Sequence, residues 1–423
     1  MKVIKDIASF DFEKIPIDPF WNIGDQREQK MHRIHTYPAK FPAFITTKAL
    51  EYWEKNNSKL PTRIADIFCG CGTTAFEARR NSIDFWGCDI NPVATLIAKT
   101  KSRKYQSSRL QNYYEKILQE YSKEKNEDCF ESASERLKYW FMPQQYNALA
   151  HLKKAIYGST PNNSDYRLFF LCGFSNILKA TSRWLTKSIK PQIDPNKKAS
   201  KVIDAFNEQY KMMFLANEEV EGLSNAESDI VTGNFLDDSW KIPSIDMIIT
   251  SPPYVTSYEY ADLHQLSSLW LGYVDDYKEL RDGTIGSLHH EYNFNKELKR
   301  LNSTGLKIVL RLLDQHKSKA KSIAKYFLDM QLVAQKSFSI LNNKGTVLFV
   351  IGNTEYKNIR IDNAKHLAES LINTGFSGVS VTKRKISNKI LTPYRDAKGK
   401  FSSDSSGRKV YSEEFIITGR KER

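Results

Sequence analysis

The chain has 423 residues, 40% apolar and 12% aromatic, which excludes a disordered polymer and fits one large α/β domain with insertions, or two domains. The 63 Lys and Arg against 49 Asp and Glu leave +14 at neutral pH, an excess that favours a polyanionic partner, nucleic acid ahead of an anionic membrane surface. No apolar run of about 18 residues and no leader-like N-terminus occur, so a soluble, cytoplasmic protein with no membrane association is expected. The 5 scattered cysteines contain no C-x-x-C pair and predict neither disulfides nor zinc.

In chain order, the first unit opens at Arg63, where the apolar run 64–68 meets the turn Cys69-Gly70-Cys71-Gly72. Thr74-Ala75-Phe76-Glu77 fits a capping box and predicts a helix to about residue 81, followed by a strand over 85–90 that ends at Asp89 and Asn91. Residues 104–226 interrupt this alternation with helical spacing, as at Leu110, Tyr113, Ile117, Leu118 and Tyr121 and again at Leu149, Leu152 and Ile156. Within them, 187–201 reads as a loop rich in Lys and Pro. Strands are predicted at 230–232, leading into Gly233-Asn234-Phe235, and at 245–250, leading into Ser251-Pro252-Pro253-Tyr254. A helix over 258–273 and a polar stretch without clear period to about 315 come next. A helix over 320–341 ended by Asn342-Asn343-Lys344-Gly345, a strand over 346–351, a helix over 364–373 and two strands near 379–385 and 410–418 complete the chain.

The first four strands each end in a polar or glycine-rich turn, at the edge where open α/β sheets hold ligands. Gly70-x-Gly72 lets main chain approach a ligand, and Asp89 can accept both hydroxyls of a ribose, so the pair reads as a nucleoside site. A weak dinucleotide fingerprint and a tight turn without ligand are the competing readings. No Lys or Arg stands in the turn to meet a phosphate, whereas Asp66 suits a cationic amino group. In Thr250-Ser251-Pro252-Pro253-Tyr254 the prolines donate no hydrogen bond and leave carbonyls free. Ser251 and the Pro252 carbonyl can then hold an exocyclic amino group while Tyr254 offers a face on which a base stacks; a Pro-Pro turn with a packing tyrosine is the plain alternative. The basic run Lys383-Arg384-Lys385, Arg395, Lys398, Lys400 and Arg408-Lys409 reads equally as a phosphate track or as an exposed hairpin. His289, His290 and Glu291 lack an i, i+4 partner and are read as solvent-facing, not metal-binding.

Together these motifs resemble the S-adenosylmethionine-dependent DNA amino-methyltransferases, which modify cytosine N4 or adenine N6. Asp66 to Thr74 is similar to that family's D-x-F-x-G-x-G-T-T cofactor loop, and Thr250 to Tyr254 to its T-S-P-P-Y catalytic loop. Tyr37-Pro38-Ala39-Lys40-Phe41 resembles the element that closes over the methionine end of the cofactor, and Gly233-Asn234-Phe235 the element that borders the adenine ring. The segment from Ser257 to Tyr273, with Tyr258, His264 and Leu269-Trp270-Leu271-Gly272, is similar to a cytosine-N4-type subgroup. The resemblance covers most of the chain outside the helical insertion.

It implies a doubly wound, Rossmann-like methyltransferase sheet with a terminal antiparallel β-hairpin and a helical insertion. Residues 1–103 would form the closing segment and cofactor-binding half, 104–226 the insertion, as target-recognition or lid domain, and 227–423 the catalytic half. It implies S-adenosylmethionine held by Tyr37, Pro38, Ala39, Lys40, Phe41, Asp66, Phe68, Gly70, Gly72, Thr73, Thr74, Asp89, Ile90, Asn234 and Phe235. Catalysis would fall to Ser251, Pro252, Pro253 and Tyr254, acting without metal on a base rotated out of double-stranded DNA. Ser251, where Asp or Asn marks adenine enzymes, points to cytosine N4; a hydroxyl that donates to ring nitrogen N3 or accepts from the amine, according to its rotor, supplies a physical reason. Target reading falls to 104–226 or 274–313, and a cognate restriction endonuclease is a compatible partner. The rivals are an adenine-N6 enzyme, an RNA amino-methyltransferase and a catalytically inactive nucleic-acid-binding module.

Overall fold

The computed structural model describes the chain apart from residues 24–26, 39, 124–127, 189, 224–225, 256–259, 288–292, 387–393, 396–400, 403–407, 410–412 and 423. Its strands in chain order are β1 (Lys2–Val3), β2 (Arg63–Asp66), β3 (Asp84–Asp89), β4 (Ser228–Thr232), β5 (Ile245–Thr250) and β6 (Leu341–Ile351). A small hairpin, β7 (Thr354–Tyr356) and β8 (Ile359–Ile361), precedes β9 (Ser377–Lys385); three short strands, β10 (Tyr394–Arg395), β11 (Phe401–Ser402) and β12 (Arg408–Lys409), precede β13 (Glu413–Arg420). Eight of them form one sheet in the order β1-β9-β13-β6-β5-β2-β3-β4. The run from β6 to β4 is parallel, and β13 lies antiparallel between β6 and β9. The chain builds outward from β2 through β3 and β4, then returns to β5 and β6 on the other side. The β2/β5 boundary is therefore the switch point at which such sheets open a ligand crevice.

Period-two alternation assigns the central strands to two faces. Ile64, Met247, Ile249, Leu348 and Val350 pack under α1 (Ala43–Asn57), α2 (Thr73–Arg80) and α3 (Pro92–Ser102). Between β3 and β4 come α4 (Ser107–Lys123), α5 (Glu135–Trp140), α6 (Pro143–Ser159), α7 (Asp165–Thr181) and α8 (Val202–Glu218), and after β5 come α9 (Tyr260–Leu271) and α10 (Phe294–Leu298). Ala65, Ile67, Trp86, Ile248, Val347 and Phe349 pack on the opposite face, under α11 (Ser303–Leu313), α12 (Lys317–Ile340) and α13 (Asn363–Thr374). The insertion α4–α8 shares a continuous core with α2, α3 and α9: Phe170, Phe174 and Leu178 meet Phe76, Leu96, Ile97, Leu266 and Trp270 in one apolar cluster. With each fully buried large apolar side chain contributing about 1.5–3 kcal/mol, that seam fixes the insertion against α2, α3 and α9.

Several predicted boundaries move, for physical reasons. The capping box at Thr74 and Glu77 does not form. Gly72, left-handed at φ 74, caps α2, the Thr74 hydroxyl turns to Asp66, and Glu77 is buried against His32 and Arg80. The stretch from 274 to 315 is not without period, because α11 buries Ile308, Val309 and Leu312. Residues 342–345 do not end α12; they continue β6 from Leu341. The helix predicted over 258–273 is α9, its first two residues lying outside the described ones.

Candidate active site

β2 ends in Asp66, which is 3% exposed and accepts hydrogen bonds from the Thr74 hydroxyl (2.9 Å), the Thr250 hydroxyl (2.7 Å) and the Phe68 amide (3.2 Å). One carboxylate thus ties the glycine loop after β2 to the end of β5. Burial pushes it up to about 6 against these three hydrogen bonds, with Asp89 nearby acting in the same sense as burial. Past Asp66 the chain turns tightly: the Gly72 amide donates to the Cys69 carbonyl (2.8 Å) and the Cys69 amide to the Cys88 carbonyl (2.9 Å). Gly70 and Gly72 have φ of +47° and +74°, the left-handed region in which a Cβ costs about 1–2 kcal/mol. A Cβ on Gly72 would also lie 2.5 Å from Ala98 Cα of α3.

Asp89, at the end of β3, is held at both oxygens: Oδ2 accepts from the Gly70 amide and Oδ1 from the Asn91 amide, each at 2.9 Å. Each oxygen keeps a further lone pair, so two vicinal hydroxyls fit a carboxylate whose orientation is already set. Burial pushes this carboxyl up to about 6 as well, against the two amides. Beside it, Asn234 donates to the Gly283 carbonyl (3.0 Å), and a Cβ on Gly283 would be 3.3 Å from Ile90 Cδ1. Gly283 belongs to the 274–313 candidate and therefore edges the same crevice. Phe235 is 2% exposed, in the core below.

Across the switch point the Ser251 hydroxyl donates to the Val350 carbonyl (2.9 Å). Its proton is thereby committed, so toward an incoming amine Ser251 is an acceptor; the rotor argument for donation to N3 does not describe this geometry. No described residue donates to the Pro252 carbonyl, while the Pro253 carbonyl accepts from the Tyr326 hydroxyl of α12 (2.9 Å). The Tyr254 hydroxyl donates to Glu414 Oε1 (3.0 Å), whose other oxygen takes Arg384. Burial, then the Glu414 charge, push the Tyr254 phenol well up, so this ring is a wall and not a base. Burial likewise pushes the Cys69 and Cys88 thiols well up, which keeps these two protonated.

The predicted closing segment arrives from the other side. Tyr37 is the residue that a Cβ on Gly70 would meet, at 3.6 Å, and its ring stacks on His264 of α9 at 5.1 Å. Lys40 pairs with Glu28 (2.7 Å), and Phe41 packs with the α1–α2 face. Behind Tyr37, His35 Nε2 meets the Ser175 hydroxyl (2.9 Å), which donates to Ser267 (2.7 Å), and the Thr36 amide donates to Asn176 (2.9 Å). Closing segment, insertion and α9 are thereby one polar unit. Burial holds His35 down to about 4 and His264 to about 3, both neutral at physiological pH.

Ala39, Ser257, Tyr258, His289, His290, Glu291, Lys398 and Lys400 lie outside the described residues, as do the side chains of Arg395, Arg408 and Lys409. Lys383 and Arg384 are neither a phosphate track nor an exposed hairpin: they are 4% and 3% exposed and paired with Glu413 and Glu414. Sequence reasoning did not find Thr250 as the partner of Asp66, nor Tyr326, Glu414 and Arg384 as supports of the Ser-Pro-Pro-Tyr loop; only the Thr in T-S-P-P-Y gave any signal. Among the described residues no group of three or more His, Cys, Asp or Glu is placed to hold a metal. No described helix is long and apolar enough to cross a membrane.

No family model matches the chain. It is 22% identical over 373 residues to the type II methyltransferase M.MvaI of Kocuria varians, covering 80% of each chain. Over 379 residues it is 22% identical to the type II methyltransferase M.AvaI of Nostoc sp., covering 79% of this chain and 77% of the relative. A segment of 115 residues is 31% identical to the type II methyltransferase M.MjaII of Methanocaldococcus jannaschii, 26% of this chain and 21% of that one. Among solved structures, the rRNA methyltransferase aviRa from Streptomyces viridochromogenes aligns over 91% of this chain and 88% of its own at 9% identity with a TM-score of 0.29, a value that carries no argument. The similarity to M.MvaI and M.AvaI across most of both chains supports a methyltransferase enzyme, with S-adenosylmethionine as the methyl donor it points to.

Proposed function

We propose that the protein transfers a methyl group from S-adenosylmethionine to the N4 amino group of a cytosine rotated out of double-stranded DNA, in the cytoplasm and as the modifying partner of a restriction endonuclease. The observation that carries this reading is the 2.7 Å hydrogen bond from Thr250 to Asp66. It locks the glycine loop and the Ser-Pro-Pro-Tyr loop side by side at the switch point, so a nucleoside held by one faces an amine held by the other.

The residues fit the cofactor. Asp89 is aimed by two amides and keeps acceptor capacity for a ribose diol, Gly70 leaves room under Tyr37, and Asn234 and Ile90 edge the far side. When bound, the cofactor supplies a methyl group on a sulfonium. This chain's own residues do the rest: Ser251 and the Pro252 carbonyl accept hydrogen bonds from the two amine N–H groups, this pair orients the nitrogen lone pair outward, and the methylated nitrogen releases one proton to solvent. Tyr254, its hydroxyl tied to Glu414, presents a ring face on which the extruded base stacks, a contact worth on the order of 1–3 kcal/mol. That is comparable to the few kcal/mol needed to unstack the base. The choice of cytosine rests on Ser251 occupying the position that carries Asp or Asn in adenine enzymes. Incubating the purified protein with methyl-labelled cofactor and either duplex DNA or structured RNA tests the reading. Label is expected in DNA only; label in RNA only would overturn it.

A further inference from the structure

Seven Lys and Arg, against the single acid Asp194, fall within residues 179–201. Within it, residues 183–185 pair with 192–194 as a hairpin. Trp184 bridges to Ile193, the Leu185 amide donates to the Gln192 carbonyl (2.8 Å) and the Asp194 amide to the Arg183 carbonyl (2.9 Å). Lys187 and Lys190 stand exposed at its tip, and Lys198 and Lys201 on its flank. Two ammonium groups brace it, one at the turn and one at the base, through main-chain carbonyls. Lys179 donates to Ser188 O (2.8 Å), and Lys197 to both Lys179 O and Trp184 O (2.7 Å each). Among the described residues none of the seven cations is ion-paired, and Asp194 Oδ1 accepts from the Asn196 amide of its own turn. The positive charge is therefore held in a fixed shape and left uncompensated. Lys383 and Arg384 behave differently, being buried with carboxylate partners.

The hairpin is coupled to the catalytic loop through aromatic packing. Trp184 stacks on Trp140 at 4.9 Å, and Trp140 Nε1 donates to Gln265 Oε1 (3.0 Å), an oxygen that also takes Arg136 Nε (2.8 Å). Gln265 stands on α9, the helix that follows the Ser-Pro-Pro-Tyr loop. We propose that this hairpin is a clamp for the phosphate backbone of duplex DNA, gripping the strand beside the target base without reading sequence. The proposal rests on the DNA reading above and adds a contact surface to it. Rigid support matters because a mobile loop would lose backbone entropy on binding, whereas a braced hairpin presents its four exposed lysines from a backbone already fixed.

The test compares two variants of equal charge. In one, Lys187, Lys190, Lys198 and Lys201 are replaced by Gln. In the other, Lys55, Lys59, Lys241 and Lys344, near the edge of the parallel strands remote from the catalytic loop, are replaced by Gln. Duplex DNA affinity is measured by fluorescence anisotropy over 50–200 mM salt. Each phosphate contact contributes about 0.9 to the slope of log K against log salt. The hairpin variant is expected to lose up to about 3.6 from that slope and at least about tenfold in affinity, with Lys→Arg replacements restoring both, while the remote variant matches the parent. An unchanged slope in the hairpin variant, or equal losses in both variants, would overturn the clamp while leaving the functional reading intact. Binding of the parent protein to RNA but not to duplex DNA would overturn both. Calorimetry with S-adenosylhomocysteine on the same preparations reads the cofactor site separately and is expected to be unchanged.

Discussion

Replacing Asp89 isolates the cofactor end of the account. Its two oxygens are each fixed by one backbone amide and each have one lone pair left for a ribose hydroxyl. A hydrogen bond to a charged acceptor contributes about 1.5–3 kcal/mol, so losing two in Asp89→Ala weakens binding by about 3 kcal/mol even at the low end, more than a hundredfold. Asp89→Asn is not conservative here, because its amide NH2 must face the Gly70 or the Asn91 amide, donor against donor. The sign of the pH effect follows from the carboxyl being pushed up to about 6. Hydroxyls donate to the charged form, so binding expels the proton held below that pH. Affinity is level above about pH 7 and falls roughly tenfold per unit below the folded value. Isothermal titration calorimetry from pH 5 to 8 measures both effects, and the acid limb should be shallower in Asp89→Ala, where Asp66, pushed up to about 6 as well, is left to titrate alone. Affinity within threefold of the parent for Asp89→Ala, or a flat profile in the parent, would refute the ribose assignment.

Other substitutions probe the remaining contacts. Gly72→Ala places a Cβ 2.5 Å from Ala98 Cα at φ +74° and should cost more than about 3 kcal/mol in urea unfolding, whereas Gly70→Ala meets Tyr37 only at 3.6 Å and should cost about 1–2 kcal/mol while disturbing cofactor binding more; equal losses of stability would contradict the packing. Tyr254→Ala should keep cofactor affinity and lose most single-turnover methyl transfer, while Tyr254→Phe, which gives up only the bond to Glu414, should retain most of it; a Phe variant as slow as the Ala variant would exclude stacking as the role. His264 is held down to about 3 by burial, so its contribution to stability is present above the unfolded value near 6.5 and is lost as pH falls toward the folded one. His264→Phe, which can keep the stack on Tyr37, should therefore move the acid-unfolding midpoint to lower pH, and an unmoved midpoint by circular dichroism would count against it.

The glycine turn after β2 and the Pro-Pro loop after β5 were legible as strand-end turns because their signals are local. A glycine that must adopt positive φ, an acid at a strand end and a Pro pair that stops a ladder all declare themselves within a few residues. What surrounds them was not legible, because it depends on strand register. Glu414 reaches Tyr254 across 160 positions, and Arg384 lies opposite Glu414 only because β9 and β13 pair in that register. For the same reason Lys383 and Arg384 read as surface charge and prove to be buried. The capping box failed because both of its side chains have stronger buried partners in Asp66 and His32. The fused core between the insertion and helices α2, α3 and α9 was equally hidden, since helical spacing shows that a face is apolar without naming what covers it.

The most direct measurement of the central claim is the identity of the methylated nucleoside. Duplex DNA treated with the purified protein and labelled S-adenosylmethionine is digested to nucleosides and separated by mass spectrometry. The account predicts N4-methylcytosine, with the signal strongly reduced in Tyr254→Ala and, at limiting cofactor, in Asp89→Ala. N6-methyladenine alone would contradict the choice of base while leaving an amino-methyltransferase in place. Methylation at cytosine C5, or no transfer to DNA by a folded protein that binds the cofactor, would contradict the account as a whole.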